Sequence, residues 1–230
     1  MTMLALSGTI FLLIHYFPST PLRGRIISAI GESAYLGLYS LLSLVAFFWW
    51  VMSFNNAPYD APLWIYPDWW PWLKALLLLF AAVLFVGAFS SPNPSVPRGG
   101  ALLEHPNIGQ GVFAITRHPG MWAFAIWATA HLISQPNWRG FWFFGLFALT
   151  ALGGAYLQEK RKARELGEGW VRFEAKTSFL PFIALLQGRA KLNLRQIGLW
   201  RLGVAALIWA MILHLHVWLF GASPLPGLVG

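Results

Sequence analysis

The amino-acid sequence predicts an all-α integral membrane protein, a bundle of about six transmembrane helices with one amphipathic helix at the cytoplasmic face. Hydrophobic residues make up 57% of the 230 residues, and charged residues make up only 10%. An ordinary soluble domain carries roughly 25% charged residues, so this chain cannot build a solvated surface on all sides. It also contains apolar runs close to the length of about 20 residues that a helix needs to cross a bilayer. These observations exclude a soluble globular protein.

A membrane also accounts for the net charge of +8 and for the 14 tryptophans. Nucleic-acid binding is not expected, because proteins that bind nucleic acid place basic residues on a wetted face, whereas here they lie between apolar runs. Tryptophan rings favour the membrane interface. The predicted partner is therefore the lipid bilayer.

Six apolar segments are the predicted spans, taken in chain order. The first ends at Pro18 and is interpreted as an uncleaved anchor, because no basic residue precedes it and Arg23 and Arg25 follow it. The fourth begins at Pro119, whose missing N–H costs nothing in the first turn of a helix. The spans cover residues 3–17, 34–54, 71–90, 119–135, 139–157 and 202–220.

The distribution of basic residues predicts the orientation, because Lys and Arg near the ends of spans stay on the cytoplasmic side. With the N-terminus outside, 14 of the 16 Lys and Arg residues lie on inner loops, and only Lys74 and Arg139 lie outside. Residues 55–70 contain Asp60 and Asp68 but no basic residue, as expected for an outer loop. Both termini are thus predicted to lie outside the cytoplasm.

Two segments outside the spans have a predictable character. Residues 91–98 contain three prolines and are expected to form a stiff turn. Residues 158–170 mix both signs of charge, and Leu166, Trp170 and Phe173 recur at helical spacing, which predicts an amphipathic helix on the anionic leaflet. That helix is expected to end before Pro181.

The ionisable residues in or at the ends of the predicted spans are almost purely histidines, and such residues are the default functional candidates in a membrane protein. His15 ends the first span, His131 lies inside the fourth, and His214 and His216 lie toward the outer end of the sixth. No Asp or Glu falls clearly within a span, and the chain has no cysteine. Two facing histidines suffice to hold a haem axially, with the porphyrin in apolar space between helices.

The pairing of these histidines remains open. His15 and His216 also fit interfacial residues whose polar tips reach the headgroups. His131 follows His118 by 13 residues, about 20 Å along a helix, so it needs a buried hydrogen-bond partner or a ligand. Depth alone pairs His131 with His214 or His216, unless the fourth span begins nearer to Gly111.

The motif ITRHPG, residues 115–120, is the sharpest local signal. It places Arg117 and His118 at the N-terminus of the fourth span, where free amides favour an anion, so both are candidate cofactor-binding residues. The alternative is that Arg117 anchors the chain on lipid phosphate at the membrane face.

Five segments together resemble the landmarks of the NnrU family, which is associated with nitrite and nitric oxide reduction in denitrifying bacteria. They are residues 11–25, 31–45, 111–132, 177–182 and 216–226. The resemblance spans nearly the whole chain and implies one NnrU-type transmembrane domain, residues 1–230, in a bacterial inner membrane. Related plant zeta-carotene isomerases are membrane haem b enzymes, and the residues that match their iron ligands are His15 and His131. Where the isomerase has a cysteine implicated in switching ligation, this sequence has Ala128.

A looser resemblance connects the RHP motif and the later Glu-Lys-Arg helix to isoprenylcysteine-type membrane methyltransferases, where such segments bind S-adenosylmethionine. Four functions therefore remain open. The first is a haem b protein of nitrogen-oxide metabolism that works with a membrane reductase or electron-transfer partner. The others are a haem-dependent isomerase of a polyene, a methyltransferase, and a non-enzymatic assembly or interaction factor that docks a reductase through residues 160–164.

Overall fold

The computed structural model describes residues 1–227, which form helices joined by turns and contain no strand. The α-helices of this part of the chain are α1 (Thr2–Tyr16), α2 (Leu22–Ile30), α3 (Glu32–Asn55), α4 (Trp70–Ser90), α5 (Val112–Ile115), α6 (Pro119–Ser134), α7 (Trp138–Gly140), α8 (Leu146–Lys176), α9 (Ile183–Leu186), α10 (Leu194–Ile197) and α11 (Leu199–Phe220). The all-α class predicted from composition is thereby confirmed.

Five helical segments in the described residues are long and apolar enough to cross a membrane. They are Thr2–Ser19, Glu32–Asn55, Trp70–Ser90, Trp138–Lys176 and Leu199–Phe220. The remaining predicted span is α6, which begins at Pro119 as expected but has only 16 residues. A helix of that length is about 24 Å long, less than the about 30 Å of hydrocarbon that a span must cross. A count of six spans stays a prediction.

The predicted fifth span runs directly into the predicted amphipathic helix, which is kinked at Gly167. A π-helical turn, Phe141–Gly145, leads into α8, whose 31 residues run from the apolar segment into the charged one. A break in helical geometry occurs only at Gly167, with φ 52° and ψ −129°. The apolar face predicted to lie on the leaflet packs within the protein, because Trp170 and Phe173 are buried against Val112 and Phe113.

The chain divides into two compact units. Unit 1 is Met1–Tyr66 with Ala128–Gln158, and unit 2 is Pro67–Trp127 with Glu159–Gly230, of which residues 228–230 are not among those described. The single domain expected over residues 1–230 stays a prediction.

In unit 1, α1 packs against α3 through a glycine. A Cβ at Gly8 would lie 2.5 Å from Trp50 Nε1 and 2.8 Å from a methyl carbon of Leu146, so only glycine permits this approach. Trp50 is fully buried, and its ring centroid lies 5.0 Å from that of Phe11 and 4.8 Å from that of Phe143. Unit 1 therefore has an aromatic core.

In unit 2, α4 packs against α11, and polar side chains on α11 bond to the backbone of α4. Trp209 Nε1 donates to the Ala75 carbonyl at 2.8 Å, and Arg201 Nη2 donates to the Ser90 carbonyl at 2.6 Å. Because Arg201 meets the C-terminus of α4, its charge also offsets the negative end of that helix dipole.

Candidate functional site

Two segments far apart in the sequence meet in unit 2, and their backbones hold a pair of buried basic side chains. Thr116, between α5 and α6, is extended and donates from Oγ1 to the Phe179 carbonyl at 2.7 Å. The Arg117 amide donates to the Ser178 carbonyl at 2.7 Å. Arg117 and His118, which follow Thr116 directly, are only 7% and 3% exposed. The backbone bonds thus place both side chains inside the protein.

These side chains form a polar cluster, which we define as Arg117, His118, Glu159 and Thr177. Arg117 Nε donates to Glu159 Oε1 at 2.5 Å, and its Nη1 donates to Thr177 Oγ1 at 3.3 Å. His118 Nε2 lies 3.3 Å from the same carboxylate oxygen. The Glu159 carboxylate therefore neutralises Arg117 in a place where an unpaired charge would be costly.

Burial is the main influence on the His118 imidazole. It lowers the pKa of His118 below its ordinary value, since the charged form loses its hydration. The nearby Glu159 carboxylate acts in the opposite direction, and the Arg117 guanidinium acts in the same direction as burial. His118 is therefore neutral near pH 7, and its ring meets the Phe179 ring edge-on at 5.6 Å.

A cavity of about 620 Å³ borders the polar cluster within unit 2. Its lining combines charged and polar side chains with an apolar wall. The lining residues are Arg117, Val171, Glu174, Ala175, Thr177, Ser178, Phe179, Leu180, Ile183, Gln187 and Arg189. Arg189 Nη1 donates to the carbonyls of Glu174, Ala175 and Thr177, so this side chain caps the end of α8. The cavity suits a small molecule with both polar and apolar parts.

The histidines that the sequence proposes as iron ligands, His15 and His131, both lie in unit 1 and are half-buried. His15 Nδ1 lies 2.8 Å from the Phe11 carbonyl oxygen of its own helix. Because a carbonyl only accepts, Nδ1 carries the proton, and the ring's lone pair is on Nε2. The His15 ring centroid lies 4.1 Å from that of Phe11.

Each imidazole lies beside a phenylalanine ring. His131 stacks on Phe144, with ring centroids 5.3 Å apart. A path of four aromatic rings in contact connects the two histidines, through Phe11, Trp50, Phe143 and Phe144. Among residues 1–227, no group of three or more His, Cys, Asp or Glu is placed to hold a metal ion. A haem with two axial histidines needs only two protein ligands.

The profile of one protein family, described as NnrU protein, matches residues 3–224. The chain belongs to the NnrU family. Two curated relatives of this NnrU chain are named 15-cis-zeta-carotene isomerase, chloroplastic. The protein from Zea mays is 32% identical over 90 residues, which is 36% of this chain and 22% of the relative. The protein from Arabidopsis thaliana is 31% identical over 86 residues, 34% of this chain and 22% of the relative. No solved structure matches.

The remaining proposed site residue, His216, lies elsewhere in this NnrU chain. It is near the end of α11 in unit 2, where Nδ1 is 2.6 Å from the Ala222 carbonyl oxygen and the ring is 4.8 Å from the Phe220 ring. This position matches the interfacial alternative for a histidine near the end of a span. His15 and His131 share unit 1, whereas His214 and His216 belong to unit 2.

Sequence reasoning missed Glu159, which had been assigned to a surface helix. The signal that could have found it is the stripe of Leu166, Trp170 and Phe173. Extended toward the N-terminus at the same spacing of three and four, this stripe passes through Lys162 and Glu159. Lys162 is only 5% exposed. Since both lie on the inward face of α8, the Glu159 carboxylate reaches Arg117 and His118.

Proposed function

We propose that this NnrU protein is a membrane haem b protein in which His15 and His131 are the axial ligands of one iron. The observation that carries the proposal is the hydrogen bond from His15 Nδ1 to the Phe11 carbonyl, which leaves the Nε2 lone pair for a metal. Histidines that ligate metals typically donate their other ring N–H to a carbonyl or carboxylate. The sequence motifs that resemble the zeta-carotene isomerases imply the same two residues, and two curated relatives carry that name.

Aromatic side chains lie along the path between the two proposed ligands. Phe11, Trp50, Phe143 and Phe144 connect them, and apolar aromatic side chains are the usual lining of a cofactor site. A bound haem would supply one-electron exchange, or a site for a small ligand where one axial position opens. The chain's own contribution is the tautomer of His15 that its bond to the Phe11 carbonyl fixes.

The proposed cellular setting is nitrogen-oxide metabolism at a bacterial inner membrane. Six spans with both termini outside the cytoplasm would place 14 of 16 basic residues on the inner side. A membrane reductase or electron-transfer protein is the proposed partner. Replacing Lys160 and Arg164, the exposed basic residues between 160 and 164, tests this interaction: loss of function with retained cofactor supports docking, and unchanged function contradicts it.

The optical spectrum of the purified protein tests the haem proposal. After haem-replete expression, we expect a Soret band in the wild type, and we expect its loss or displacement in His15→Ala and in His131→Ala. His105→Ala is the matched control, because this histidine lies in an exposed loop. A wild type without a Soret band would refute the proposal. A band that survives His15→Ala but not His216→Ala would instead assign the second ligand to unit 2.

Isomerisation of a cis-polyene is the activity to assay, because the curated relatives are named for it. Ala128, which is fully buried, replaces the cysteine implicated in the isomerase mechanism, and a methyl group offers no thiolate. We therefore expect little activity on a cis-carotenoid with reduced iron, and a gain of activity in Ala128→Cys. High activity in the wild type would show that the reaction needs no thiolate.

The polar cluster and its cavity favour a second candidate, a binding site for S-adenosylmethionine. The fold brings the RHP motif and Glu159 together beside a cavity of about 620 Å³, as the methyltransferase resemblance implies. Calorimetric titration with S-adenosylmethionine tests this candidate. Binding that is lost in Arg117→Ala or His118→Ala but kept in Arg164→Ala supports it, and absence of binding to the wild type refutes it.

A further inference from the structure

One arginine of unit 1 is buried without an acidic partner. Arg139, in α7, is 5% exposed, and its Nε donates to the Phe54 carbonyl at 3.0 Å. The guanidinium carbon lies 4.1 Å from the ring centroid of Phe54 and 4.1 Å from that of Tyr59. Nη1 is buried and has no hydrogen-bond partner among the described residues. This atom is a donor without an acceptor.

The nearest acid does not supply that acceptor. Asp60 accepts from the backbone amides of Trp138 at 2.8 Å and of Arg139 at 3.5 Å, and it forms no ion pair with the Arg139 side chain. The C-terminal carbonyls of α3 offset part of the positive charge. A buried guanidinium still loses its hydration, and one unsatisfied N–H adds to that cost. An anionic acceptor at Nη1 would remove both penalties.

Two aromatic rings in contact connect Arg139 to His131, one of the proposed iron ligands. The Phe54 ring, on which the guanidinium stacks, meets the Phe144 ring at 5.8 Å, and Phe144 stacks on His131. The other Lys or Arg residues of unit 1 are Arg23 and Arg25, in α2. Arg25 is exposed and Arg23 is half-exposed, so Arg139 is the buried cation of the described part of unit 1.

We propose that Arg139 binds a propionate of the haem through Nη1, an assignment that rests on the proposed haem function. Each haem b carries two propionates, and the guanidinium fork is the side chain best matched to a carboxylate. The Tyr59 ring, which covers one face of the guanidinium, is 81% exposed and can move aside without disturbing the core.

A double-mutant cycle between protein and ligand tests this assignment. Apo-protein in detergent is titrated with haem and with haem dimethyl ester, which lacks the propionate charge, in the wild type and in Arg139→Gln. We expect Arg139→Gln to weaken haem binding by about tenfold or more, as for loss of a charge-assisted hydrogen bond. The same substitution should leave binding of the ester unchanged. Arg23→Gln, a change of the same chemistry outside the buried region, should weaken neither.

The midpoint potential of the iron is an independent readout. An unpaired propionate carboxylate stabilises ferric iron, so Arg139→Gln should lower the potential and Arg139→Lys should lower it less. Equal weakening of haem and ester binding by Arg139→Gln would show a structural role and overturn the assignment. If Arg139→Gln does not fold, equal affinity of the wild type for haem and ester overturns it. A wild type that binds neither ligand would instead refute the proposed haem function.

Discussion

Replacing Glu159 by glutamine removes one negative charge from the polar cluster and changes almost nothing else. Glutamine keeps the length of the side chain and an oxygen that can accept from Arg117 Nε, which lies 2.5 Å from Oε1. It leaves the Arg117 guanidinium, with its side chain only 8% exposed, without a counter-ion. The substitution therefore isolates the charge of the pair from its shape.

The expected destabilisation follows from the burial of the pair. Removing one partner of a buried ion pair costs about 3–5 kcal/mol. The Glu159 side chain keeps 17% exposure, so water screens part of the charge. We take the lower end, about 3 kcal/mol, for this substitution. For a chain of this size about 2–4 °C of melting temperature corresponds to each kcal/mol, which gives a decrease of about 6–12 °C.

Thermal unfolding in detergent, followed by intrinsic tryptophan fluorescence, measures the decrease. Glu168→Gln is the matched control, because Glu168 lies on the same helix in an exposed pair with Arg172 at 3.9 Å. Such a surface pair contributes about 0.5 kcal/mol, so the control should move the melting temperature by about 1–2 °C. Arg117→Gln combined with Glu159→Gln should recover part of the loss, since no unpaired charge remains. Equal shifts for Glu159→Gln and Glu168→Gln would refute the reasoning.

Two further predictions concern pH and helix packing. Because burial lowers the pKa of His118 below 6.5 in the folded protein, its contribution to stability is full above pH 6.5 and is lost as the pH falls toward the lowered value. His118→Gln should therefore lose less melting temperature than the wild type between pH 7 and pH 5, and parallel pH curves would contradict this. In α8, a Cβ at Gly153 would collide with the Tyr16 hydroxyl, whereas a Cβ at Gly154 meets nothing within 4 Å. Gly153→Ala should destabilise the protein by about 1–2 kcal/mol through the lost Tyr16 hydrogen bond. Gly154→Ala should be neutral or stabilising by up to about 1 kcal/mol. Denaturation in detergent compares the two variants, and equal effects would contradict the collision.

Most helix positions could be predicted from the sequence. The predicted spans 3–17, 34–54, 71–90 and 202–220 agree within three residues with α1, α3, α4 and α11. The hydrocarbon region imposes length and apolarity on such segments, so a linear pattern reveals them. What could not be predicted is that α8 continues from an apolar segment into a charged one. A helix crosses that boundary freely, because its backbone hydrogen bonds are internal on both sides.

The candidate site was predictable only in part. The sequence selected four candidate site residues because ionisable groups are costly near apolar surroundings: His15, His131, Arg117 and His118. Glu159 was not selected as a candidate, since its neighbours in sequence are charged and its burial depends on which face of α8 packs inward. Arg139 was interpreted as an outer-loop cation, yet the structure stacks it between two aromatic rings. The neighbouring residues in the sequence do not predict stacking of this kind.

The sequence by itself determined that this protein belongs in a lipid bilayer. It also determined the helical class and the small set of side chains that can carry chemistry. Each of these depends on composition or on local spacing, because transfer to a bilayer is a property of single segments. The tertiary structure alone decided which buried charges are neutralised and which have no acidic partner. It placed Glu159 on Arg117 and stacked Arg139 on Phe54. Such pairings depend on three-dimensional contacts, and distance along the chain does not specify them.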